Sequence, residues 1–148
     1  MQIPTEDDWW DDPEGFADLD VRHAYEMFHG KNLEEALALF VDHAMDREED
    51  LLFMPATCLR YYIQAYITYL RSNASRGDAD GASAFIGLIE GRSDDLRGSA
   101  QELIDEVSAT LLYLRGCQEW FEADPEIYGS FGSRALTVLA KIQPNKTQ

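Results

Sequence analysis

Apolar residues recur at every third or fourth position along most of this chain, the spacing of one face of an α-helix. Phe16, Val21, Ala24, Tyr25 and Phe28 predict a first helix that stops at Gly30, a residue type that commonly ends helices. Asn32 then caps a second helix, with Glu35 three residues on as in a capping box. Its apolar face is Leu33, Ala36, Leu37, Phe40, Val41 and Ala44. An acidic link from Asp46 to Asp50 follows, and Pro55 suits the first turn of a third helix. That helix is apolar on two sides: Cys58, Tyr62, Ala65, Tyr66 and Tyr69 on one, Leu59, Ile63, Ile67 and Leu70 on the other. Such a helix belongs in the middle of a bundle.

Ser72 to Asp80 reads as a loop, with Asp80 capping a fourth helix that carries Phe85, Ile86, Leu88 and Ile89 and ends near Gly91. Ser93 or Ser99 starts a fifth, whose face runs Leu96, Ala100, Leu103, Ile104, Val107, Leu111 and Leu114. Asp124-Pro125 pairs a cap with a first-position proline and opens a last helix bearing Tyr128, Phe131, Ala135, Val138, Leu139 and Ile142. Gly129 or Gly132 is a candidate break, and Pro144 ends the helix. No stretch alternates as a strand does and no internal repeat is visible. The expectation is an all-α, single-domain bundle of five or six helices: an acidic, irregular arm over 1–15, a helical domain over 16–143 and a tail over 144–148.

Charge changes this picture most. The 148 residues hold 28 Asp and Glu against 12 Lys and Arg, a net charge of −16. The first twenty residues carry eight of the acids and no Lys or Arg, so half of that charge lies in this first stretch. Such a field disfavours direct nucleic-acid binding and anionic membrane surfaces, and it speeds encounter with basic partners. Leu51 to Leu70 is long enough to span a bilayer and has one charge, Arg60, but its Pro55, Thr57, Gln64, Thr68 and four tyrosines suit a protein core better. With no signal-like apolar run at the N-terminus, a cytoplasmic location is expected.

Candidate chemistry is sparse. Glu26-x-x-His29 and Asp20-x-x-His23 could each chelate from one helix face, but a di-metal bundle needs such units on different helices, and solvated surface charge explains both pairs better. His43 reads as a surface residue at a helix end. Asp78-x-Asp80-Gly81 begins like a calcium loop, yet the position that needs its closing carboxylate holds Gly87. Cys58 and Cys117 read as buried reduced thiols, one disulfide between them being the alternative, and no phosphate-binding loop or nucleophile elbow is present. No catalytic residue, metal or cofactor is expected. The tyrosines of the third helix are core residues first and a groove lining second. Trp9 and Trp10, set among Asp7, Asp8, Asp11 and Asp12, are either tucked onto the bundle or offered to a partner.

The run Phe53-Met54-Pro55, Arg60-Tyr61-Tyr62, Ala65-Tyr66 and Tyr69-Leu70 resembles a pattern in small helical bacterial proteins of uncharacterised function. With its size and acidity, the chain is similar in style to the immunity proteins of bacterial toxin systems. The resemblance is close over residues 53–70 and compositional elsewhere, and it carries no catalytic residues. It implies a binding protein that neutralises a basic toxin or effector. The residues expected to meet that partner are Asp7, Asp8, Trp9, Trp10, Asp11, Asp12, Asp46, Glu48, Glu49 and Asp50. The alternatives are a DNA-mimic inhibitor, which needs its acids along one extended face, and a metal-dependent enzyme with Glu26 and His29 as ligands.

Overall fold

The computed structural model describes residues 1–10 and 17–143, and they are helical throughout, with no strand among them. The segments are α1 (Glu6–Trp9), α2 (Leu19–Phe28), α3 (Leu33–Phe53), α4 (Ala56–Leu70), α5 (Ala79–Gly91), α6 (Ser93–Arg97), α7 (Gln101–Gly116), α8 (Pro125–Tyr128) and α9 (Phe131–Ile142). They outnumber the five or six helices expected because α1, α6 and α8 are short pieces that periodicity does not resolve. Phe16, Pro144 and the acids Asp11, Asp12 and Glu14 lie outside the described residues.

Contacts divide the chain into two compact units, Met1–Ala74 and Ser75–Gln148, a division inside the stretch expected to be one domain. It falls in the polar Ser72–Asp80 segment that the sequence marks as a loop.

In the first unit α4 packs on α3 and on α1, and α3 packs on α2. The start of α3 follows its signal: Asn32 accepts from the Glu35 N–H at 2.8 Å, and Glu35 accepts from the Asn32 N–H at 3.0 Å. Ten residues of α4 are buried, covering both apolar faces. Tyr66 stacks on Phe40 at 4.7 Å, and Tyr62 lies 4.9 Å from Phe28. The Tyr62 hydroxyl donates to the carbonyls of Phe28 and Lys31, each 2.8 Å away, so a buried phenol is satisfied and the tyrosines serve the core.

Three expectations fail here. Among its described residues the arm is not wholly irregular: Glu6–Trp9 makes one helical turn, begun by Thr5, whose N–H donates to the Asp8 carboxylate at 2.7 Å. Asp46–Asp50 is not a link. α3 continues through it, broken at His43 (φ −156°, ψ 76°), with no Gly or Pro to announce the break. Val41, expected on the apolar face, is 51% exposed.

In the second unit α9 is the hub, packing on α5, α6 and α7. Asp78, not Asp80, caps α5 by accepting from the Gly81 N–H at 2.9 Å. Asp80 instead accepts from the Tyr128 hydroxyl at 2.7 Å. The stretch read as one fifth helix is two, α6 and α7, parted at Gly98–Ala100. Asp124 caps α8 as expected, and the chain turns at Gly129 (φ 74°), which separates α8 from α9. Gln118 holds the next turn together. Its amide donates to the carbonyls of Ala123 (3.0 Å) and Gly129 (2.9 Å), and its oxygen accepts from the Phe131 N–H (2.9 Å).

Candidate functional site

The first unit holds a cleft of about 340 Å³ between α2 and α3, lined by Asp20, His23, Asp46, Arg47, Glu49, Asp50 and Phe53. Helical spacing puts the α3 members on one side of that helix: Asp46 with Glu49, Asp50 and Phe53 fall at the three- and four-residue intervals of one face. α2 contributes Asp20 and His23 one turn apart.

At the base of the cleft is a charged cluster. The Asp50 side chain is 5% exposed, and its Oδ1 lies 2.6 Å from His23 Nδ1, a bond between residues 27 apart in sequence. Arg47 Nε is 3.3 Å from Asp50 Oδ2, close enough for ionic attraction but not aligned as a hydrogen bond, so neither atom has a hydrogen-bond partner. Burial raises the Asp50 pKa, and the His23 hydrogen bond and the Arg47 charge oppose that rise. Two positions along, burial pushes the Glu48 carboxyl up to about 7, assisted by the negative charge of Glu49. Asp20, Asp46 and Glu49 are exposed, and Phe53, 38% exposed, adds an aromatic wall.

Four carboxylates thus face one guanidinium and one imidazole. The arrangement attracts cations and offers acceptors to N–H donors, and no Ser, Thr or Cys lines it. Of the acids expected to meet a partner, Asp46, Glu49 and Asp50 come together here, while Glu48 is half-buried beside them and outside the lining.

The N-terminal group behaves differently. Trp9 is 1% exposed, packed edge-on against Tyr25 at 5.5 Å and near Tyr62 at 6.4 Å, so it takes the tucked of its two readings. Trp10 is half-buried, 4.9 Å from Tyr25. Asp7 is exposed, and Asp8 is committed to Thr5. Glu6, not singled out by sequence, ties the segment to α2: it accepts from the Tyr25 hydroxyl at 2.8 Å and lies 3.1 Å from His29 Nε2. The hydrogen bond to Glu6, then burial, raises the Tyr25 pKa.

Two histidines therefore have carboxylate neighbours other than those their local spacing suggests, His29 with Glu6 rather than Glu26 and His23 with Asp50 rather than Asp20, while His43 lies 3.5 Å from Asp46, three residues on. Local spacing could not have found the first two, because each joins separate elements. Among the described residues no group of three His, Cys, Asp or Glu side chains is arranged to hold a metal ion. Cys58 is buried and its thiol donates to the Asp8 carbonyl at 3.8 Å, and Cys117 is half-buried; both are free thiols. No helix among the described residues is long and apolar enough to cross a membrane, and the apolar run from Leu51 is interrupted at Met54–Pro55.

The chain matches no family model, no curated protein and no solved structure.

Proposed function

We propose that the protein is an acidic binding module that neutralises a basic protein partner, most concretely as the immunity protein of a bacterial toxin. The observation that carries this reading is the α2–α3 cleft, where exposed Asp20, Asp46 and Glu49 surround a buried Asp50. Carboxylates fixed on two packed helices lose little freedom on binding, so they form charge-assisted bonds at low entropic cost. A net charge of −16 adds long-range steering toward a basic surface. Asp7 is a further exposed carboxylate, whereas buried Trp9 contributes by holding the segment in place rather than by touching the partner.

The test begins with capture of the tagged protein's partner at low salt and its identification by mass spectrometry. Association of the purified pair is then measured for the wild type and for Asp20→Asn, Asp46→Asn, Glu49→Gln together. The triple variant should associate more slowly at low salt and show a shallower dependence on ionic strength. Equal rates and equal salt slopes would refute the role of the cleft. Recovery of no basic protein would refute the function.

A further inference from the structure

We infer that the α2–α3 cleft receives one guanidinium group, an arginine side chain presented by the basic partner, between the carboxylates of Asp46, Glu49 and Asp20 and against the ring of Phe53. This inference rests on the partner-binding reading and specifies its chemistry.

Three observations lead to it. The first is size: about 340 Å³ sits at the lower end of the range for small-ligand sites, enough for one side chain and too little for a helix or a strand. The second is the floor. Asp50 is nineteen-twentieths buried, with a side-chain exposure of 5%, lines the cleft, and has one oxygen, Oδ2, that receives no hydrogen bond. Arg47 Nε, 3.3 Å from that oxygen, is misaligned and makes no hydrogen bond either. A buried acceptor without a donor is unfavourable, and an incoming planar fork of N–H groups relieves that deficit where a misaligned Arg47 does not. Oδ1 is already held by His23, which fixes the carboxylate so that Oδ2 is the oxygen left over.

The third observation selects the kind of cation. Phe53 is 38% exposed and lines the same cleft as the carboxylates. A guanidinium is flat, weakly hydrated and stacks on aromatic faces while its edge bonds carboxylates; an ammonium is a compact, strongly hydrated point charge that gains less from such a wall.

The experiment is a titration of the full-length protein at low salt with N-acetylarginine amide, followed by NMR of the His23 and Phe53 ring signals. N-acetyllysine amide is the matched ammonium probe. Saturable shifts centred on His23, Phe53 and residues 46–50 are expected with the arginine probe, and weaker binding with the lysine probe. Asp46→Asn with Glu49→Gln, both exposed positions, should abolish saturation. Phe53→Leu, which keeps every charge, should erase the preference for arginine over lysine. The inference is overturned by shifts that rise without saturating, by equal binding of the two probes to the wild type, or by an arginine preference that survives Phe53→Leu. It is also overturned, alone, if the probe fails while a basic protein is still captured in a salt-sensitive way. If the probe binds as expected but no basic protein is captured, the guanidinium site stands and the partner reading falls.

Discussion

Glu48 offers the clearest quantitative test of how this acidic helix is held. Burial and the neighbouring Glu49 raise its pKa from the ordinary 4.5 to about 7. The folded state therefore binds the Glu48 proton more tightly than the unfolded chain does. The resulting stability is fully present below the unfolded pKa and is lost as pH rises through the folded value. A pKa difference of about 2.5 corresponds to roughly 3 kcal/mol, and solvent reaching a half-buried side chain reduces this to about 1–3 kcal/mol. Glu48→Gln keeps the shape and removes the charge. The variant should match the wild type at about pH 4 and below, and exceed it in stability near pH 8 by about 1–3 kcal/mol. With a urea slope of about 2 kcal/mol/M, the midpoint should rise by roughly 0.5–1.5 M. Urea unfolding followed by circular dichroism at several pH values gives the answer, and subtracting wild type from variant cancels the titration of every other group. A difference that stays constant between about pH 5 and pH 8, or one that favours the wild type at high pH, would refute the argument.

Other sites give sharper or smaller effects. Trp9→Ala should cost about 3–5 kcal/mol in urea unfolding by emptying a fully buried site, and Trp9→Phe much less, because the indole N–H makes no hydrogen bond. Asn32→Ala removes the side-chain half of the α3 capping box and should cost about 1 kcal/mol in the same assay. At Gly77 (φ 79°) an added Cβ would stand 2.6 Å from Glu122 Oε2, so Gly77→Ala should lower the melting temperature, and adding Glu122→Ala should restore part of the loss. Lys141→Ala breaks the 2.8 Å pair with Glu90, but both side chains are about half exposed, and the change should be no more than about 1 kcal/mol.

The parts of the fold legible in the sequence are those where one residue type does a local job. Asn32 with Glu35, Asp124 with Pro125, the stop at Gly30 (φ 76°) and the turn at Gly129, one of two candidate breaks by sequence, all act within a few residues. The two-sided burial of α4 followed from its composition alone. What failed depended on tertiary context. Asp46–Asp50 looked like a link because a run of acids resembles a solvated loop, yet Glu, Arg and Asp continue a helix readily once one side of it is covered. Asp78 and Asp80 are equivalent cap candidates by type, and the Tyr128 hydroxyl, 48 residues from Asp80, occupies the one that does not cap. The cleft was half legible. The charge run located Asp46, Glu49 and Asp50, but His23 and Asp20 reach it only because α2 packs on α3.

The break at His43 bears on how so much charge can be gathered in one helix. Residues 46–50 hold four carboxylates in five positions, a density that mutual repulsion opposes within a regular helix. Because His43 leaves helical geometry, Ala44 begins what is in effect a fresh helix, and Asp46 and Arg47 fall in its opening turn. Backbone N–H groups there lack intrahelical acceptors, and the aligned peptide dipoles present their positive pole, favouring each nearby anion by about 0.3–1 kcal/mol. An unbroken α3 would place the same acids in its last eight residues, toward the negative pole at its C-terminal end. The kink thus sets a positive dipole terminus beside the first of these acids.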